Sequence, residues 1–212
     1  MSLFISFEGI DGCGKSTQIE LLRSHLESIG QKVVTTREPG GTALAEMVRN
    51  YLLHSDQPLA ASAELLLFGA ARAQHVAEVI APALERGDIV LCDRYTDSTR
   101  AYQGSGLGLD INFINRMNDF ATGEVQPNLT FLLDIEPALG AQRLRDLSSG
   151  DRIEARGLEF AHRVRLAFLA MARAEPNRIV VLDGTAPAKI VHQHVFELLQ
   201  ERLLKSMGGF SR

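Results

Sequence analysis

The sequence has two cysteines in 212 residues, Cys13 and Cys92, in neither a metal-ligand nor a redox-pair spacing. That excludes a disulfide framework and points to a reducing, cytoplasmic setting. Excess positive charge is missing as well. Lys and Arg number 22 against 26 Asp and Glu, a formal net charge of −4, so no basic field suits general nucleic-acid binding. Any polyanion must be gripped locally. No stretch approaches the ~20 apolar residues of a bilayer span, and Met1–Phe7 is too short and too poor in basic residues for a signal peptide. No internal repeat or low-complexity linker divides the chain, so a single domain over residues 1–212 is expected, large enough to bury a continuous core.

Short apolar runs alternate with segments of helical periodicity. Leu3–Phe7, Lys32–Thr36, Ile89–Cys92, Leu129–Leu133 and Ile179–Leu182 read as strands. Lys15–Ile29 reads as a helix with Ile19, Leu22, Leu26 and Ile29 on one stripe, ending at Gly30. Thr42–Leu53 and the long apolar stretch Ala61–Arg86 are further helices, and a closing helix carries Ile190, Val195, Leu198 and Leu199. Strands that are apolar throughout and alternate with helices predict an α/β fold: a five-stranded parallel sheet with helices on both faces. Residues 147–152 read as a flexible stretch and residues 207–212 as a frayed tail.

The first strand runs into Gly9-Ile10-Asp11-Gly12-Cys13-Gly14-Lys15-Ser16-Thr17, which fits G-x-x-x-x-G-K-[ST]. Glycines let the backbone curl so that N–H groups point at phosphate oxygens, and the following helix aims its positive end at the same place. Lys15 would reach the β- and γ-phosphates of ATP, and the Ser16 hydroxyl would ligate Mg²⁺. A chance glycine-rich turn would lack the strand before and the helix after. The chain shows no N-K-x-D guanine reader and is too short for a large motor ATPase, which leaves a kinase of small molecules.

A second constellation follows the strand ends. Arg37, within Thr36-Arg37-Glu38-Pro39-Gly40-Gly41-Thr42, and Arg94, within Asp93-Arg94-Tyr95, fall at the carboxyl edge of the sheet, where open α/β folds bind ligands. Two arginines there suggest an anion site opposite the phosphate loop, and Asp93 is placed to approach Mg²⁺. On the long helix, Phe68 and Arg72 share one face. Either a flat ring stacks on Phe68 and bonds Arg72, or Phe68 is core and Arg72 pairs with an acid; the pattern leaves both open.

Together these segments resemble the bacterial thymidylate kinases. The resemblance continues through Ser98-Thr99, Ala101-Tyr102-Gln103-Gly104, Asp151-Arg152-Ile153-Glu154 and Asp183-Gly184, and it covers nearly the whole chain. It implies a P-loop nucleoside monophosphate kinase fold, a homodimer, and transfer of phosphate from ATP to dTMP with Mg²⁺. It further implies Phe68 stacked on thymine, Arg72 on an exocyclic oxygen, and Thr99 and Gln103 lining the base pocket beside Ser98. Arg37 and Arg94 would hold the dTMP phosphate, Tyr102 would close against C2′, and Asp11 would lie between the nucleotides.

Some family members carry a catalytic arginine inside the phosphate loop, yet Ile10, Asp11, Gly12 and Cys13 supply no cation. A short lid over about residues 143–156 is expected to supply it, in the order Arg145, Arg152, Arg143. Two other readings compete: a deoxynucleoside kinase, against which Arg37 and its Pro-Gly-Gly setting speak, and a non-catalytic ATP-binding interaction module, which has no use for Phe68, Arg72 and Tyr102.

Overall fold

A computed structural model describes residues 2–145 and 151–207. The stretch 147–150 and the tail from residue 208 lie outside the described residues. Strands β1 (Leu3–Glu8), β2 (Val33–Arg37), β3 (Ile89–Asp93), β4 (Leu129–Asp134) and β5 (Ile179–Asp183) form one parallel sheet in the order β2-β3-β1-β4-β5. β1 is buried along its full length because it has neighbours on both sides and helices on both faces. Alternation splits its side chains: Ile5 and Phe7 join Phe131 on one face, while Phe4 packs with Val76, Ile80, Val90 and Tyr95 on the other. The edge strands β2 and β5 are only partly covered.

Helix α1 (Lys15–Ser28) buries Ile19, Leu22 and Leu26, but Ile29, expected on the same stripe, caps the helix and is exposed. Helix α2 (Ala43–His54) starts on Thr42, whose hydroxyl accepts from the Ala45 N–H at 3.2 Å. The long helix expected over 61–86 is interrupted. α3 (Ala61–His75) passes through a π-helical stretch, Val76–Ile80, into α4 (Ala81–Glu85). Pro82 has no N–H for a regular turn and its ring crowds the carbonyl four residues back, so the wider turn absorbs it.

After β3 come the short α5 (Thr96–Thr99), which widens into a π-helical turn over Arg100–Gly106, and α6 (Ile111–Thr122). α7 (Pro137–Arg145) follows β4, α8 (Gly157–Ala174) precedes β5, and α9 (Ala188–Met207) closes the chain. In α9, Val195 and Leu199 are buried as expected, but Ile190 is exposed. The helices α5, α6 and α8 escape the sequence reading. α6 is rich in Asn and Asp, poor helix formers, and is bounded by an Asp110 cap and a left-handed Gly123. α8 did leave a signal: Phe160, Val164, Phe168 and Met171 recur at helical spacing and are buried.

Because the chain order reverses direction at β1, the carboxyl ends of β1 and β3 diverge into a crevice, the usual ligand position of such sheets. The phosphate loop leaves β1 there, and Arg94 leaves β3.

Candidate active site

The loop over residues 9–14 is shaped by glycines that no other residue could replace. Gly9 and Gly12 have φ of 132° and 77°. A Cβ on Gly9 would stand 2.5 Å from the Leu133 carbonyl oxygen, and one on Gly12 2.5 Å from that of Gly140 in α7. The loop is therefore wedged between β4 and α7 by direct backbone contact. Arg143 reinforces the wedge, its Nη1 donating to the carbonyls of Gly12 (3.2 Å) and Gly184 (3.1 Å).

Lys15 opens α1 and is buried, with Nζ donating to the carbonyls of Gly9 and Ile10, both at 3.3 Å. Its charge lies 4.0 Å from the Asp93 carboxylate. Ser16 Oγ donates to Asp93 Oδ2 at 2.9 Å. A hydroxyl and a carboxylate side by side at a phosphate cradle are hard oxygen donors of the kind Mg²⁺ takes, with phosphate and water oxygens completing its shell. The donor set fits that ion. A cleft of about 980 Å³ lies between Ile10 and Asp11, α7 with Arg145, and residues 151–158, and beside it a space of about 730 Å³ over the phosphate loop is lined by Asp11 to Gln18 with Arg37, Arg49, Asp93, Arg94 and Arg143.

A second, smaller cavity of about 80 Å³ opens beside it. Phe68, Arg72, Ser98, Thr99, Tyr102 and Gln103 all line it, so the structure brings together every residue assigned to the base and sugar. Asp11, Glu38, Arg49 and Arg94 line both spaces. Arg94 is the hinge between them. Its Nη1 donates to the Gly9 carbonyl (2.9 Å) and to Ser98 Oγ (3.1 Å), and its Nη2 to Asp11 (2.6 Å) and the Tyr102 hydroxyl (3.1 Å). Burial alone would raise the Asp11 carboxyl, but Arg94, Lys15 and the hydrogen bonds from Arg94 and Tyr102 hold it down at about 2.

Arg72 decides between its two readings in part. It is buried and paired with Glu38 at 2.7 Å. Nη1 donates to Thr99 Oγ1 (2.9 Å) and Asn118 Oδ1 (2.7 Å), and Nη2 to the Tyr95 carbonyl (3.0 Å). The acid partner is real, and Arg72 nevertheless stands on the cavity wall. Phe68 is half-buried against the main core and lines the same cavity. Gln103 gives its amide N–H to Glu64 at 2.9 Å.

The three arginines considered for the lid separate. Arg143 is tied to the loop carbonyls named above. Arg152 donates to the Leu52 carbonyl (2.8 Å) and to Glu64 (2.9 Å), on the α2–α3 side rather than over the phosphates. Arg145 is exposed and makes no hydrogen bond or ion pair among the described residues. Arg37 is exposed too, held by both oxygens of Glu46 at 3.1 Å.

Residues 7–195 match the family model described as thymidylate kinase. The chain belongs to the thymidylate kinase family. A thymidylate kinase of Syntrophotalea carbinolica is 52% identical over 216 residues, covering 99% of this chain and 100% of the relative. One of Citrifermentans bemidjiense is 48% identical over 98% of this chain and 95% of the relative. The crystal structure of thymidylate kinase from Ehrlichia chaffeensis, 40% identical, superposes with a TM-score of 0.77 over 93% of this chain and 98% of that one. The parallel sheet is thus that of the P-loop nucleoside monophosphate kinases. In this thymidylate kinase family member, sequence reasoning missed Arg49. It donates to the Pro39 carbonyl at 3.0 Å and lines both cavities. Burial, then repulsion from Arg37, lowers its pKa, while Glu46, Asp151 and Asp93 oppose the shift. Its position one turn after Glu46 on α2 was the available signal, and it reads equally as an ordinary surface ion pair.

Proposed function

We propose that this chain transfers the γ-phosphoryl group of ATP to dTMP, giving dTDP and ADP in the synthesis of dTTP. The observation that carries the reading is the pair of adjoining cavities, a phosphate cradle and a small space lined by Phe68, Arg72 and Tyr102, sharing Asp11 and Arg94 at their junction. ATP occupies the cradle of residues 9–17, with Lys15 on the β- and γ-phosphates. Ser16, with Asp93 beside it, holds Mg²⁺, which when bound neutralises developing phosphate charge. Phe68 stacks on thymine, Arg72 bonds an exocyclic oxygen, and Ser98, Thr99 and Gln103 complete the base side. Arg37, Arg49 and Arg94 receive the dTMP phosphate. Tyr102, packed edge-on against Phe160 and Phe168, closes against C2′ of the sugar.

The catalytic lid spans about residues 143–156 of a single-domain protein. Arg145 is its transition-state arginine, favoured because Arg143 and Arg152 already have partners. A cytoplasmic homodimer is the working form. Its support is a set of exposed apolar side chains on α2, α3 and α6: Met47, Tyr51, Leu66, Phe113 and Phe120, the last 90% exposed. Among the described residues no helix is long and apolar enough to cross a membrane.

The test is ADP release against a panel of nucleosides and nucleoside monophosphates. Turnover with dTMP and none with thymidine is expected. Turnover of thymidine without dTMP would make the chain a deoxynucleoside kinase, and ATP turnover indifferent to every acceptor would make it an interaction module.

A further inference from the structure

Glu8, the last residue of β1, is fully buried although it belongs to none of the groups assigned to either nucleotide. Both of its oxygens are committed to the segment after β3. Oε1 accepts the Tyr95 N–H at 2.7 Å and Oε2 accepts Ser98 Oγ at 2.6 Å. Ser98 Oγ in turn accepts from Arg94 Nη1 at 3.1 Å. A hydroxyl has one hydrogen and two lone pairs. By drawing the Ser98 hydrogen to itself, the carboxylate leaves a lone pair facing the guanidinium.

The backbone tells the same story. Arg94 sits at φ 70°, a left-handed conformation unfavourable for a residue with a side chain. Such a conformation persists only where neighbours over-determine it. Here the Arg94 N–H donates to the Phe7 carbonyl at 3.0 Å, Cys92 Sγ donates to the Arg94 carbonyl at 3.0 Å, and the next N–H, that of Tyr95, goes to Glu8. β1 thus clamps the turn on both sides of Arg94, and Glu8 supplies one jaw and the side-chain relay together.

We infer that Glu8 is a positioning residue for Arg94: it fixes the turn through the Tyr95 N–H and the guanidinium through Ser98, so that Arg94 is preset for the acceptor phosphate. The inference rests on the reading of Arg94 as a dTMP-phosphate arginine. Burial, and next the nearby Asp97, push the Glu8 carboxyl up to about 7, while Arg94, Ser98 and Tyr95 oppose them. Across the sheet its β4 partner is the apolar Leu132, and the buried Cys92 of β3 lies nearby. A neutral amide of the same shape would escape the burial penalty but could accept from only one of the two groups that Glu8 serves.

The experiment compares calorimetric affinities for dTMP and for thymidine, which lacks the phosphate, in the full chain. Glu8→Gln keeps the volume, but with its oxygen on the Tyr95 N–H its NH₂ donates to Ser98 Oγ instead of taking the Ser98 hydrogen. It then competes with Arg94 for the hydroxyl lone pairs; Ser98→Ala cuts the relay. Each is expected to lower the dTMP-to-thymidine affinity ratio about tenfold with ATP affinity within twofold of wild type. Thymidine affinity stays within twofold in Glu8→Gln, whereas any loss of base contact in Ser98→Ala, a base-pocket residue, falls on both acceptors and cancels in the ratio. Arg94→Ala should lower the ratio further, and adding Glu8→Gln to it should do nothing more. A wild-type ratio in either folded variant, or full additivity with Arg94→Ala, overturns the inference. A wild-type ratio in Arg94→Ala itself instead overturns the reading of Arg94 on which the inference stands.

Discussion

Arg72 is both a buried ion-pair member and the proposed contact to the base, and its removal separates the two. Its guanidinium and the Glu38 carboxylate are 2% and 4% exposed, and Arg72 also donates to Thr99, Asn118 and the Tyr95 carbonyl. Replacing it by Met preserves most of the apolar stem but strands the buried carboxylate. Breaking one side of a buried ion pair costs about 3–5 kcal/mol. For a chain of this length each kcal/mol lowers Tm by roughly 2–4 °C, so a fall of about 6–20 °C is expected. His75 Nδ1, 3.1 Å from Glu38 Oε1, can keep one oxygen bonded and holds the loss toward the lower end. Adding Glu38→Gln removes the stranded charge and should recover part of the loss. Binding is read separately by calorimetry well below the lowered Tm. A lost hydrogen bond to a base oxygen in a dry pocket weakens dTMP by roughly 1–3 kcal/mol and leaves ATP nearly unchanged. A Tm within 2 °C of wild type refutes the buried-pair account, and equal losses for both nucleotides refute the base-pocket assignment.

Lys15→Ala should cut kcat by about a hundredfold or more, measured by ADP release; near-normal turnover would remove the kinase assignment. Arg145→Ala should lower kcat strongly with little change in dTMP affinity, the pattern of an interaction made in the transition state, and an unchanged kcat would leave Arg94 and Mg²⁺ to carry the charge. Tyr102→Ala should narrow the preference for dTMP over its ribonucleotide counterpart, since the gate works by exclusion; an unchanged ratio with falling activity would count against the gate. Glu8 gives stability a pH dependence whose sign is opposite to that of most carboxylates. Its folded pKa is raised from 4.5 to about 7, so the native state holds the proton more tightly and ionisation destabilises it increasingly from about pH 4.5 to pH 7. Glu8→Gln should therefore gain up to about 3 kcal/mol over wild type between pH 5 and 8 in thermal unfolding, and a gap independent of pH would show that Glu8 titrates normally.

The fold was legible wherever the physics is local and repeated. Buried parallel strands are apolar at every position, and all five were found within a residue or so of their ends. The interruption after His75 was visible only as Pro82, whose consequence depends on whether the helix bends, breaks or widens. The phosphate loop could be read residue by residue because its glycines answer a backbone requirement, but the reason Gly12 tolerates no side chain lies 128 positions away, in Gly140. Partners of that kind leave no spacing in the sequence. The same holds for Arg72, whose acid is Glu38 in the bend after β2, and for Arg49 and Glu8, which matter through what faces them.

The cations of the cleft explain why so many carboxylates and carbonyls surround a site for phosphates. Lys15 rests on Gly9 and Ile10, Arg37 on Glu46, Arg94 on Asp11, and Arg143 on Gly12 and Gly184. Each holder fixes a long side chain in advance. Ordering one such chain at binding costs about 0.5–1.5 kcal/mol, so four held in place remove a cost of about 2–6 kcal/mol from nucleotide binding. The holders differ in what they allow next. Neutral carbonyls release Lys15 easily to a phosphate, whereas Asp11, held ionised by Arg94 and Lys15, keeps its grip on Arg94. In its proposed role, Arg94 meets the dTMP phosphate while still bonded to Asp11, which restricts that phosphate to the side of the guanidinium that Asp11 leaves open. A carboxylate beside a phosphate site, unfavourable as a charge, therefore serves as the fixed reference that aims the arginine.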